Sequence, residues 1–255
     1  MKAQYSLRNA ESYFREHLGV GDDYIKGQTV SGQWFGEGAR ELGLSGVTTE
    51  TAFLNLCRNI HPRTDEQLTP RLNSKRVQVD KAGNVHESAN RRVFYDFTLS
   101  PPKSVSIAAL VGNDQRIIEA HDEAVQVALR ELQFYAATRV RIQNQYAHRV
   151  TGNVVGAVFR HDTSRELDPH LHSHCILLNA TRDSVEDRWK ALEACEMVTA
   201  QKFVRNVYYH ELVRSLQRFG YGIENNPRGD FEIVGVSKEL IDRFSKRHRE
   251  IDEKT

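Results

Sequence analysis

Cysteine is scarce in this chain. There are three in 255 residues, Cys57, Cys175 and Cys195, odd in number and without paired spacing. That excludes a disulfide scaffold and leads us to expect a reduced, cytoplasmic protein. Long apolar runs are lacking as well: no stretch approaches a transmembrane span, and the N-terminus carries no apolar signal segment. Net charge is equally thin. The 35 basic and 34 acidic side chains leave +1, so the total demands no polyanion as partner. Two phosphate-binding motifs are also missing. Gly36-Glu37-Gly38 has neither the third glycine nor the preceding strand of a dinucleotide fingerprint, and no Gly-Lys-Ser/Thr element is present. The chain itself is therefore not expected to consume ATP. No internal repeat or low-complexity segment occurs.

What is there is organised. Cations gather in two stretches with few acids between them: Arg58, Arg63, Arg71, Lys75, Arg76, Arg91, Arg92 and Lys103, then Arg139, Arg141, Arg149 and Arg160. Such residues make either solvated faces or the lining of a nucleic-acid channel. Residues 10–18 read as a helix, and 19–46 as a glycine-rich loop region holding Trp34 and Phe35. Thr49 caps a helix to about Ile60, and 61–90 reads as an extended excursion. A strand over 92–99 leads to a helix with Ser100 as cap and Pro101 at its first position, running to about Val111. A second helix runs from Asp114 to about Thr138, with Ile117, Ala120, Ala124, Ala128, Leu132 and Tyr135 along one side. Residues 153–161 and 171–178 read as strands. A long helix follows from about Val198 to Phe219, with Val204, Tyr208, Leu212 and Leu216 inward and Gly220 at its end. A hairpin turning at 226–229 and a charged helix capped by Ser237 close the chain. The expected class is α+β, a mainly antiparallel sheet flanked by helices.

Histidine carries the chemistry. His172 and His174 stand two apart in the apolar run Leu171 to Leu178, and His161 lies eleven residues before His172. In a strand, residues two apart leave the same face, so both imidazoles emerge side by side, and a paired strand ending at His161 can deliver a third nitrogen. Three neutral imidazoles with open positions suit a catalytic metal. A lone strand histidine is more often a hydrogen-bonded structural residue, and Asp168 is a competing ligand that would make a two-histidine, one-carboxylate triad. His170 shares the face but follows Asp168-Pro169, where the chain is expected to be turning still. Cys175 points to the opposite face, into the core. Asp96, in an apolar strand, needs a partner: the distal N–H of a metal-bound imidazole, or an arginine. Tyr13 and Tyr24 show no core pattern around them. A tyrosine becomes a nucleophile only when a base or metal overcomes its pKa, and alone either residue reads as a packing side chain.

These segments together resemble a family. His161 to His174, with the sequence His-Asp-Thr-Ser-Arg-Glu-Leu-Asp-Pro-His-Leu-His-Ser-His, is similar to the three-histidine motif of MobF-type conjugative relaxases, members of the HUH endonucleases. Residues 95–106, Tyr-Asp-Phe-Thr-Leu-Ser-Pro-Pro-Lys-Ser-Val-Ser, resemble the motif carrying that family's catalytic aspartate. Ser12-Tyr13-Phe14, Asp23-Tyr24 and 36–46 resemble its tyrosine region. The resemblance implies one relaxase domain over 1–255, with the helicase region that usually follows absent from this chain. It implies nicking and rejoining of one DNA strand at a plasmid or integrative-element origin of transfer. In that scheme Tyr13 is the nucleophile that leaves a 5′-phosphotyrosyl link, Tyr24 serves a second transfer, and Asp96 orients a metal histidine and helps take the tyrosine proton. His161, His172 and His174 hold a divalent metal, and Arg165 and Lys103 contact phosphates. Adjacent tyrosine pairs are common in the family, whereas Phe14 and Ile25 follow the tyrosines here, so the division of roles between Tyr13 and Tyr24 stays open.

The metal implied is Mg or Mn, with Zn or Ni as substitutes in vitro, since all-nitrogen ligation favours transition metals. The partners implied are single-stranded origin DNA, relaxosome accessory proteins and a conjugative coupling protein, acting on a monomer without a membrane segment. Trp34, Phe35 and Trp189 are candidates to stack on bases, Trp189 equally to be core. Two other classes fit the residues: a metal-dependent phosphodiesterase using activated water, and an origin-binding module whose metal is structural.

Overall fold

The computed structural model describes residues 1–5, 32–70, 75–79, 85–89, 92–164, 166–227 and 229–245. The chain divides into two compact units, one made of 1–97, 132–159 and 174–200, the other of 98–131, 160–173 and 201–255. The strands, in chain order, are β1 (Lys2–Gln4), β2 (Gln33–Phe35), β3 (Lys75–Val79), β4 (Val85–Ala89), β5 (Phe94–Leu99), β6 (Ala137–Ile142), β7 (Gln145–Val150), β8 (Gly156–Thr163), β9 (Pro169–Leu178), β10 (Thr181–Asp183), β11 (Arg188–Lys190), β12 (Ile223–Asn225) and β13 (Phe231–Ile233). The helices are α1 (Glu37–Glu41), α2 (Glu50–Cys57), α3 (Lys103–Leu110), α4 (Gln115–Gln133), α5 (Cys195–Thr199), α6 (Gln201–Arg218) and α7 (Lys238–Arg243).

One five-stranded sheet has the order β1-β5-β9-β8-β2, its outer pairs antiparallel with Lys2 opposite Asp96 and Phe35 opposite Gly156. The other strands pair as four hairpins. This is the α+β class with an antiparallel sheet that the sequence led us to expect. The sequence of β9 explains how it sits. Its first half alternates, with His170, His172 and His174 half-buried and Leu171 and Ser173 buried, and its second half, Cys175 to Leu178, is buried throughout. A strand covered on one face only at its start must alternate there and can turn uniformly apolar where both faces are covered. Phe53, Phe94 and Phe159 centre the core of the first unit, Phe53 meeting Phe159 edge-on at 6.0 Å, and Trp34 and Trp189 pack against it. Each buried ring is worth on the order of 2 kcal/mol. Cys57 and Cys175 are fully buried and Cys195 is exposed.

Several expectations are corrected. Within 19–46 the part described is not all loop: β2 and α1 lie in it, and Gly36 serves close packing. Its φ is 99°, and a Cβ there would stand 2.2 Å from the Val154 carbonyl oxygen. The stretch 61–90 holds the β3–β4 hairpin, and the β6–β7 hairpin was not foreseen. Ser100 is not a helix cap, because α3 starts at Lys103 after an N-cap at Pro102. Pro102 bars the helical conformation at Pro101, which delays the start. α2 ends three residues before Ile60, and α4 stops at Gln133 rather than near Thr138, which is already in β6. The inward faces hold at Ile117, Ala120, Ala124, Ala128 and Leu132 of α4 and at Val204, Tyr208, Leu212 and Leu216 of α6, all buried, whereas Tyr135 falls beyond the end of α4 and is only half-buried. Thr49 and Ser237 cap their helices through Ala52 N–H and Leu240 N–H.

Candidate active site

β9 sends His170, His172 and His174 from one face, by the period of two that the strand imposes. His170 lies inside the strand, not in a turn before it. Its carbonyl oxygen accepts from His172 Nδ1 at 2.8 Å, and the two rings lie 4.7 Å apart. A carbonyl can only accept, so the proton of His172 is on Nδ1 and its lone pair is on Nε2. His174 repeats the pattern with a different partner: its Nδ1 donates to Asp96 Oδ2 at 2.9 Å, which again leaves the lone pair on Nε2. Backbone or carboxylate support at the far nitrogen is how metal-binding imidazoles are oriented. Asp96 is 6 % exposed and sits on β5, whose neighbour in the sheet is β9. The sequence left a histidine or an arginine open as its partner, and the histidine is the one found.

His161, on β8, stacks against His172 at 5.2 Å with 23° between the ring planes. Among the described residues no three histidine, cysteine or carboxylate side chains close around an ion as they stand. The donor chemistry nonetheless suits a borderline transition ion, with nitrogen lone pairs of fixed tautomer on one strand face.

Burial lowers the Lys103 pKa, and the charge of the buried Asp168 offsets only part of that lowering. The Lys103 ammonium donates to the Pro169 carbonyl oxygen at 3.0 Å, holding the start of β9. Tyr13, Tyr24 and Arg165 lie outside the described residues. Trp34 and Trp189 are half-buried against the core and Phe35 is buried within the first unit.

The second basic stretch is largely spent in ion pairs. Arg139 meets Glu193 at 3.3 Å, Arg149 meets Asp183 at 2.8 Å, and Arg160 meets Asp122 at 2.5 Å. The sequence reading missed these partners, because they lie 34 to 54 residues away along the chain.

Sequence reasoning also missed His121. This residue of α4 has no exposed surface, and its ring nitrogens bond Tyr208 Oη and Ser173 Oγ, each at 2.8 Å. The signal was present, since position 121 falls on the apolar stripe of α4, four residues after Ile117 and four before Val125.

The model of the TrwC relaxase family matches residues 7–255. Two proteins described as multifunctional conjugation protein TraI, from Escherichia coli and from Escherichia coli strain K12, are 34 % and 33 % identical to the chain over 97 % of it. The chain spans 13 % of the length of each. Among solved structures, a metal-bound conjugative relaxase TrwC in complex with oriT DNA is similar with a TM-score of 0.81 and 34 % identity, over 99 % of this chain and 81 % of that one. TrwC complexed with a 27-mer DNA comprising the recognition hairpin and the cleavage site gives 0.79 and 32 %, over 99 % and 80 %. A copper-bound TrwC–oriT complex gives 0.82 and 34 %, over 99 % and 81 %.

Proposed function

Because the chain belongs to the TrwC relaxase family, we propose that it cuts and rejoins one strand of DNA at an origin of transfer by tyrosine transesterification. The observation that carries this reading is the bond from His174 Nδ1 to the buried Asp96 carboxylate, made on the strand that also carries His172 of the three-histidine motif. A hydrolase or binding module built on the same strand would need no tyrosine, whereas the family match extends over the tyrosine region.

In the proposed reaction Tyr13 Oη attacks the scissile phosphorus, the 3′ oxygen leaves and takes up a proton, and a 5′-phosphotyrosine remains. The bond energy is kept, so the step reverses when a 3′ hydroxyl returns. Asp96 keeps His174 in the Nδ1–H form and accepts the tyrosine proton. Tyr24 serves the second transfer. A divalent ion held by His161, His172 and His174 would supply positive charge to the non-bridging oxygens. The copper-bound and metal-bound TrwC relatives support such an ion, and nitrogen ligation favours Mn or Ni over Mg in affinity while abundance favours Mg or Mn in cells. Lys103 and Arg165 are proposed phosphate contacts. A scissile phosphate brought to a sheet-mounted site needs a bent backbone, which single-stranded DNA supplies and a stacked duplex resists. We also propose cytoplasmic action alongside accessory proteins and a coupling protein. Among the described residues no helix is long and apolar enough to cross a membrane.

The test mixes protein, Mn2+ and a single-stranded origin oligonucleotide and runs a denaturing gel. A covalent protein–DNA band is expected, and Tyr13→Phe should lose at least about a hundredfold of it while keeping DNA affinity. Free cut products alone would select water as nucleophile. A native-gel shift without cleavage would select a binding module, and an undiminished adduct in Tyr13→Phe that maps to Tyr24 would reverse the two tyrosines.

A further inference from the structure

Three positions of β9 that alternate with its histidines are each tied to a helix. Lys103 Nζ on α3 holds Pro169 O, Ser106 Oγ on α3 takes Leu171 N–H at 3.2 Å, and His121 on α4 bonds Ser173 Oγ at 2.8 Å. The last contact continues to α6, where Tyr208 Oη bonds the other ring nitrogen and the two rings meet at 88° with centroids 5.6 Å apart. His121, Ser173 and Tyr208 are all fully buried.

A fully buried polar triad is an uneconomical way to fill a core. Apolar side chains of the same shape would pack as well without the penalty of an unmet donor or acceptor. What a hydrogen-bonded triad adds is direction: a neutral imidazole has one donor and one acceptor on rigid vectors about the ring, so partners on both sides are fixed in angle as well as distance. Burial, with Arg160 and His172 adding to it, pushes the His121 pKa down to about 3, so the ring stays neutral under working conditions. Ser173 is the residue between His172 and His174, with its side chain on the opposite face.

We propose that His121 is a positioning residue for the candidate metal ligands. Through Ser173, and backed by Tyr208, it sets the tilt of β9 at the point where His172 and His174 leave its other face. This inference rests on the metal reading of those histidines. It differs from the support that Asp96 and the His170 carbonyl give, which act on ring rotation, because the triad acts on the backbone that carries the rings.

Removing a buried imidazole threatens the fold itself, so the test is made at Ser173. Metal-stripped parent, Ser173→Ala, Ser173→Thr and Tyr208→Phe are titrated with Mn2+ and Ni2+ by calorimetry, their Cu2+ complexes are recorded by electron paramagnetic resonance, and melting of the metal-free forms is followed by circular dichroism. Ser173→Ala should bind Mn2+ about tenfold more weakly, near the low end for groups that support metal ligands, with a shifted Cu2+ hyperfine pattern and a metal-free melting curve that still shows a folded protein at the titration temperature. Ser173→Thr, which keeps the hydroxyl, should return to within about threefold of the parent, and Tyr208→Phe should show a smaller loss in the same direction. Parent-like affinity and an unchanged spectrum in Ser173→Ala, whatever its melting temperature, would reduce the triad to a structural role and overturn the inference alone. No metal binding by the parent, or binding that survives His172→Ala, would overturn the metal reading and this inference with it.

Discussion

Asp96 stands between Tyr95 and Phe97, both buried, on a strand that would otherwise be wholly apolar apart from Thr98. A carboxylate in that position is costly unless bonded, and its bond goes to His174. Asp96→Asn keeps an oxygen that can accept the same proton but loses the charge, so metal affinity should fall about tenfold, and Asp96→Ala should fall closer to a hundredfold. Calorimetry with Mn2+ checks this, and equal affinity in all three proteins would detach Asp96 from the metal. This carboxylate–imidazole pair was legible in the sequence because a buried acid in a β-run calls for a partner, and the histidine pair supplied a nearby one. The His172 support was not legible, since a backbone carbonyl leaves no mark in side-chain pattern. His121 hid for a related reason: on a helix with five small or aliphatic inward residues, a single imidazole is easily passed over as surface.

Elements with a clear local signal were read well, and those whose local signal was weak or overridden by a neighbour were not. Thr49 and Ser237 announce their helices because an N-cap bond is made within three residues. The β6–β7 hairpin escaped because its two turn residues, Gln143 and Asn144, have φ of 46° and 67°. A two-residue turn with both φ positive is usually signalled by Asn-Gly, and the Gln here gives no such sign. Asp114 precedes α4 and was placed inside it by the sequence, yet it acts at the helix entrance: its carboxylate takes Arg116 N–H at 3.1 Å and the Tyr221 hydroxyl at 2.9 Å. Arg116, then Tyr221, hold its pKa down to about 2. A depressed carboxylate stabilises the fold fully above its ordinary value near 4 and loses that contribution as pH falls toward 2. Asp114→Ala should therefore cost about 1 kcal/mol at neutral pH in urea denaturation, and the gap to the parent should close by about pH 2. A gap that widens in acid would mean the charged form is not the stabilising one.

Across the whole molecule the balance of +1 conceals a division of labour among the cations. Arg149 joins β7 to the buried Asp183 and to Glu186, and Lys190 meets the same two acids at 3.4 and 2.9 Å. Such a network belongs to the fold, whereas in sequence Arg149 read either as part of a solvated face or as lining of a nucleic-acid channel. Arg149→Gln should lower stability by on the order of 2 kcal/mol and leave the salt dependence of oligonucleotide binding unchanged. A slope of log affinity against log salt reduced by about 0.7 would instead give Arg149 a phosphate contact.

The thiols decide how such experiments can be run. Burial pushes the Cys175 thiol well up, and Cys195, exposed though it is, donates to Glu193, whose nearby charge raises its pKa too. Thiolate is the form that oxygen and metal ions attack, and neither of these sulfurs favours it. The protein should accordingly tolerate days in air without dithiothreitol, a reductant that would itself strip Ni2+ or Cu2+ from any histidine site and falsify every titration made in its presence.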